Sequence, residues 1–214
     1  MQSNPEGELE ELPNSLDGEV TMVLSVVILG REDDFAASAS AKGWCNAKSE
    51  KEGLTPCYKV LDTMYWKGED QPLNCDWNAS GYRLPTEAEW EKAARGGLVG
   101  KKYPNGDSLA KSDANIEGSG TMEVGKYPAN GYGLYDMLGN VAELCWDWYA
   151  PYTEGSDPRG AANGRDRVLR GGGWYGSSNF ARGARRSALE PWNASNDVGF
   201  RLVRGRLQSG KISR

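Results

Sequence analysis

GYRLPTEAEWEKAARGG, residues Gly81–Gly97, is the stretch that decides how the chain reads. Thr86 followed three residues later by Glu89 forms a capping box, in which each side chain satisfies a backbone N–H that the first helical turn leaves open. Glu87 stands in the first turn, where the helix dipole favours a negative charge. Trp90, Ala93 and Ala94 make one apolar stripe, and Gly96 or Gly97 ends the helix. Glu87, Glu89 and Glu91 could be mistaken for paired catalytic carboxylates, but on this helix they read as capping, dipole and solvent-facing groups.

Downstream, YDMLGNVAELCWDWY at Tyr135–Tyr149 opens with a turn at Leu138–Asn140 and runs into alternating apolar residues. RVLRGGGWY at Arg167–Tyr175 reads as a strand broken by glycines, and NDVGFRLVR at Asn196–Arg204 as a last strand. Tyr103–Gly133 is loop-like, with a short strand at Met122–Lys126. Upstream, Met22–Leu29 is β-branched and reads as a buried strand. Phe35–Lys51 reads as a helix with Phe35, Ala39, Trp44 and Cys45 on its apolar side, ending before Gly53. Residues 1–18, acidic and without Lys or Arg, read as a flexible tail, as do 207–214. The expectation is one α+β domain over 19–206, with short strands, two main helices and much irregular loop. The 28 Gly and 8 Trp fit that picture, because aromatic side chains fill gaps between irregular segments.

The 214 residues contain no His. Without imidazole there is no Ser-His-Asp or Cys-His nucleophile system and no His-ligated iron site. Cys45, Cys57, Cys75 and Cys145 include no CxxC pair, so a zinc ribbon or thioredoxin motif is absent; free thiols and up to two bridges both stay open. The net charge is −5, yet Arg165, Arg167, Arg170, Arg182, Arg185, Arg186 and Arg201 crowd the C-terminal part. They are interleaved with Gly and aromatic residues, which reads as structural pairing with carboxylates and carbonyls and not as a nucleic-acid surface. The run Met22–Leu29 is too short to span a membrane and lacks the basic flank of an export signal, so export stays open. Asn78–Ser80 and Asn193–Ser195 match glycosylation sequons, which would mean little if the source is bacterial.

Taken in order, GYRLPTEAEWEKAARGG, YGLYDMLGNVAELCWDWY, RVLRGGGW and VGFRLVR resemble the formylglycine-generating-enzyme/sulfatase-modifying-factor family, over roughly Cys45 to Arg204. CNAKSEKEGLTPCY at Cys45–Tyr58 is similar to the family's segment after its first helix; the part before it is shortened. The resemblance implies an elaborated C-type-lectin-like fold. The family's oxidising enzymes carry two copper-binding cysteines just after the glycine turn, and those positions fall here at about Gly176 and Ala181, which supply no thiolate. The iron-dependent branch needs histidines that this chain lacks. Arg170–Arg201 instead resembles the mutagenised segment of the family's variable proteins, which diversity-generating retroelements rewrite.

That resemblance implies a non-enzymatic binder on the bacterial cell surface or outer membrane, as a lipoprotein whose anchor would lie outside this chain. A divergent oxidoreductase or modifying factor is the alternative. The binding residues would be Gly173, Tyr175, Gly176, Ser177, Asn179, Phe180, Arg185, Ser187, Ala188, Leu189, Trp192, Asn193 and Ser195. Aromatic residues among Ser, Gly and Asn form a paratope-like mixture, contact area beside adaptable hydrogen bonding. Gly171, Gly172, Trp174, Gly199, Phe200 and Arg201 read as scaffold. No cofactor is expected, although Asp136, Asn140, Glu143 and Asp147 could offer oxygen ligands to a calcium ion. The expected partner is a protein or other cell-surface ligand, met by a monomer, with no nucleic acid.

Overall fold

A computed structural model describes residues 20–28, 37–60, 63–64, 74–152, 154–155 and 158–205. The expected tails and the Phe35 end of the first helix lie outside them. The elements are β1 (Val20–Ile28), α1 (Ala37–Lys51), β2 (Tyr58–Val60), β3 (Thr63–Met64), β4 (Asn74–Cys75), β5 (Tyr82–Arg83), α2 (Glu87–Arg95), β6 (Ala142–Trp148), β7 (Arg167–Arg170), β8 (Ser187–Leu189) and β9 (Val198–Gly205). The main sheet runs β1-β9-β6-β7-β8, with β5 also paired to β9, while β3-β2-β4 form a small second sheet. Among the described strands only β6 and β9 pair in parallel; their other neighbours are antiparallel. The result is the α+β arrangement that the sequence predicts.

Helix α2 is built as its sequence predicts. Thr86 accepts from the Glu89 N–H, the Glu89 carboxylate accepts from the Thr86 N–H, and Gly96 closes the helix in the left-handed region at φ 55°. Helix α1 differs from expectation on its apolar side, because Trp44 lies at the rim, exposed and edge-on to Phe200. The face it buries is small and polar. Asn46 exchanges two hydrogen bonds with the Tyr58 backbone, and Ser49 accepts the Tyr82 N–H. These bonds add to the apolar contacts of Ala39, Ala41 and Cys45 in tying α1 to the strands beside it.

In the middle of the sheet β6 and β7 are buried on both faces, so they do not alternate between core and solvent. Alternation still sorts their side chains. Leu144, Leu169, Phe200 and Leu202 join Ala39, Ala41 and Cys45 of α1 in one core cluster. Cys145, Val168 and Val203 join Trp90, Ala93 and Ala94 of α2 in the other. On this second face lies a buried ionic layer. Arg201 forks Glu143 at 2.5 and 2.6 Å, and Glu143 also accepts the Trp90 indole N–H at 2.6 Å. Beside it Arg170 binds Glu91 at 2.5 Å and Glu87 at 3.5 Å. Structural pairing of the C-terminal arginines, inferred from their spacing, is what these contacts are. Glu87 stands in the first turn as expected and faces arginines as well, while Glu91, read as solvent-facing, is held by Arg170, which corrects the sequence reading.

The strand expected at Met122–Lys126 does not form. The Met122 N–H goes to Asn140 Oδ1 and the Gly125 N–H to Asp136 Oδ2, so side chains take the donors that a ladder would use. Strand β8 was not legible in the sequence, and it falls inside the segment expected to be displayed.

Candidate functional site

Between β7 and β9 the chain leaves the sheet, returns once as β8, and leaves again. The departure is a glycine turn. Gly171 and Gly172 have φ of 85° and 75°, and a Cβ at Gly172 would lie 2.9 Å from the Phe180 carbonyl, so a side chain there is excluded by strain and by space.

The loop backbone is then fastened to fixed parts of the fold. Trp174 N–H donates to Asn140 O, Gly118 N–H to Trp174 O, and Glu117 N–H to Gly176 O, at 2.7–2.9 Å. Farther along, Gly183 N–H donates to Lys102 O, and Arg170 reaches the carbonyls of Gly183 and Arg185. Ser38 N–H donates to Pro191 O, tying the second loop to α1. Arg165 pairs with Glu190 and holds that carboxyl below its ordinary range, with Asn193 and Trp192 adding hydrogen bonds.

The side chains on this fastened backbone point largely outward. Tyr175, Phe180 and Trp192 are 65%, 53% and 60% exposed. Asn179, Arg185, Ser187, Ala188 and Asn193 are exposed, while Ser177, Leu189 and Ser195 are half-buried. Gly173 and Gly176 are buried and present nothing to a partner, a correction to the expected set. At Gly173 a Cβ would meet Asp197 Oδ2 at 2.8 Å. Arg182, Ala184, Ala194 and Asn196 are exposed on the same segment, and no sequence signal separates them from their neighbours. Ser187, Ala188 and Leu189 are carried on β8, paired to Leu169, Val168 and Arg167. The half-buried Trp174 packs edge-on to Tyr175.

The four residues considered for calcium have other work. Asn140 spends both ends of its amide on Met122 and Asn115, Glu143 holds Arg201, Asp136 accepts the Gly125 N–H, and Asp147 accepts the Glu87 N–H. Gly176 and Ala181, where the oxidising enzymes would hold their cysteines, are both buried. Burial raises the thiols of Cys45 and Cys145 well above their ordinary value and that of Cys57 to about 11, so all three stay protonated. Among the described residues no helix is long and apolar enough to cross a membrane.

Comparison with known proteins gives three kinds of likeness. Residues 35–206 match the family model described as "Sulfatase-modifying factor enzyme 1-like domain". A serine/threonine-protein kinase, pkn1, of Chlamydia caviae is 45% identical over 60% of this chain, and the chain spans only 23% of that protein. The formylglycine-generating enzyme of Streptomyces coelicolor is 41% identical over 83% of this chain and 66% of its own length. Among solved structures, Treponema denticola variable protein 1 superposes with a TM-score of 0.75 at 31% identity, covering 87% of this chain and 84% of that one.

Proposed function

The chain belongs to the sulfatase-modifying-factor family, and within it we propose that this protein is a ligand-binding module without catalytic activity, which displays residues 173–195 as a variable surface. One observation supports this most. Along the segment the backbone is tied to the scaffold by hydrogen bonds, while the side chains of Tyr175, Phe180 and Trp192 are more than half exposed. A surface built this way tolerates exchange of its side chains without loss of fold, and a preordered loop loses less entropy when it binds. The likeness to the Treponema denticola variable protein supports the same reading. The partner is a protein or another cell-surface ligand, met by a monomer at the bacterial surface, with a lipid anchor as its hold on the membrane.

Sequencing the encoding locus tests it. A near-copy of the segment for residues 170–201, differing at adenines and adjoining a reverse transcriptase gene, is the expected finding. A locus with neither would return the protein to the alternative of a modifying factor. The likeness to the Streptomyces coelicolor enzyme favours that second reading, but the buried, protonated thiols described above speak against thiol chemistry.

A further inference from the structure

Arg165, Arg170, Arg186 and Arg201 each face a carboxylate, that of Glu190, Glu91, Glu87 and Glu143 in turn. Arg182 and Arg185 do not. Both are exposed on the displayed segment, and no carboxylate among the described residues pairs with either. Arg182 donates through Nε to the Asn179 carbonyl at 3.2 Å, and the Arg185 guanidinium lies over the Phe180 ring, 5.5 Å from its centre.

The backbone beneath these two cations is fixed. The Tyr103 hydroxyl donates to the Ser178 carbonyl at 3.2 Å, and the Gly183 N–H donates to the Lys102 carbonyl at 3.0 Å. The buried Arg170 guanidinium donates to the carbonyls of Gly183 and Arg185. The junction at Gly183 also brings in the loop after α2, where Lys101 and Lys102 are both exposed. Asp107 is the carboxylate of that loop, and the Lys101 ammonium holds it at 2.8 Å. Lys102 gives Asp107 its backbone N–H, so no carboxylate bonds the Lys102 ammonium. On the other side of the segment, Glu117 is paired with Lys111 at 3.0 Å. Lys102, Arg182 and Arg185 thus form a rim of unmatched positive charge beside the half-exposed Phe180, on a chain whose net charge is −5.

We infer that this rim docks an acidic segment of a partner protein, in which carboxylate side chains flank an apolar one. A guanidinium stacked on a ring keeps its N–H edge free in its own plane, the geometry that a carboxylate meets bidentately. Arg185 is held that way by Phe180 before any partner arrives. Lys102 adds a point charge, and the apolar side chain covers the Phe180 ring. A cationic partner would add to repulsion that the fold leaves uncompensated. A long polyanion such as nucleic acid would run from this small rim onto a negatively charged chain. The inference rests on residues 173–195 being a display surface, and adds to that the chemistry of what the surface meets.

The test is an NMR titration of the full chain with two capped peptides, Glu-Glu-Leu-Glu-Glu and its isosteric twin Gln-Gln-Leu-Gln-Gln. In ~50 mM salt the acidic peptide shifts the amides of Lys102, Phe180, Gly183 and Arg185 saturably, with an affinity at least ~10-fold above that of the twin, and ~500 mM salt removes most of the difference. The double variant Arg182→Gln, Arg185→Gln loses the discrimination with its spectrum otherwise folded, whereas Lys126→Gln, outside the rim, retains it. Equal binding of the two peptides, no saturable shift, or shifts that map elsewhere overturn the proposal. So does discrimination that survives in the double variant. A thymidine oligonucleotide of matching charge that binds the rim as tightly as the acidic peptide overturns the choice of a protein partner. The two ideas fail separately: a locus without the near-copy sinks the display surface whatever the peptides do, and equal peptides beside an intact near-copy sink the acidic partner alone.

Discussion

Arg170, whose side chain is wholly buried on β7, bonds Glu91 on α2 at 2.5 Å although 79 residues separate them. The same guanidinium donates to the carbonyl oxygens of Gly183 and Arg185. One side chain therefore couples the packing of α2 on the sheet to the course of the loop carrying Phe180 and Arg185. A loop whose Phe180 side chain is exposed is held here by a fully buried group.

Removing that coupling will cost fold and loop together. Arg170→Met leaves Glu87 and Glu91 with one guanidinium fewer and two loop carbonyls without a donor, at an expected cost of about 3–5 kcal/mol. Urea denaturation measures it. Hydrogen exchange at Gly183 and Arg185 should accelerate beyond what the global loss of stability explains. Arg170→Lys keeps the charge but not the fork, and should fall between the two. A cost below about 1 kcal/mol for Arg170→Met would mean that the ionic layer contributes little.

How much of this could be read beforehand follows from how local each signal is. Helix α2 was legible because Thr86, Glu89 and Gly96 each act within a turn of themselves. The turn at Leu138–Asn140 and strands β7 and β9 were legible for the same reason. Strand β8 was not: Ser187, Ala188 and Leu189 have no pattern of their own and are strand only because β7 offers an edge. The ionic layer was half legible, since the arginines stood out while their partners 58 and 79 residues away did not. Within the segment, the exposed Tyr175, Phe180 and Trp192 stood out by residue type. The burial of Gly173 and Gly176 depends on Asp197 and on the 117–118 loop, which no local pattern reveals.

Thiol reactivity separates the binding module from a thiol enzyme. Cys45, Cys57 and Cys145 are buried, and desolvation is the main cause of their raised thiol pKa values; Cys75 is half-buried and is raised by the same cause. Native protein treated with a disulfide reagent near neutral pH should release at most the Cys75 equivalent over minutes, and all four after denaturation. Rapid native labelling of Cys145 would contradict the structure.

The exposed and the supporting residues of the segment should respond differently to substitution. Tyr175→Ser, Phe180→Ser and Trp192→Ser remove exposed side chains and should change unfolding free energy by no more than about 0.5 kcal/mol each. Gly172→Ala adds only a methyl group, yet places it at φ 75° and 2.9 Å from the Phe180 carbonyl. Its cost should be about 1–3 kcal/mol. Equilibrium unfolding of the four variants compares them directly, and a Tyr175→Ser chain that has lost its circular-dichroism signature would refute the division.

The stability of the protein should also carry the mark of Asp147. Its ordinary carboxyl value is 3.8, and in the fold burial, followed by Glu87 and Glu89, raises it to about 6. A raised acid holds a proton in the native state at a pH where the unfolded chain has already released it. Between about pH 4 and pH 6 the native state thus binds more protons than the unfolded state, and stability falls as the pH rises through that window. The fall is on the order of 2–3 kcal/mol in total and levels off above about pH 6. Other carboxylates impose their own slopes, so the informative quantity is the difference between the unmodified chain and Asp147→Asn. Asparagine cannot ionise but still accepts the Glu87 N–H, so the variant should match the unmodified chain best near pH 4 and exceed it most above pH 6. Urea unfolding at several pH values gives both curves, and two curves that run parallel throughout would show that Asp147 titrates as an ordinary carboxylate.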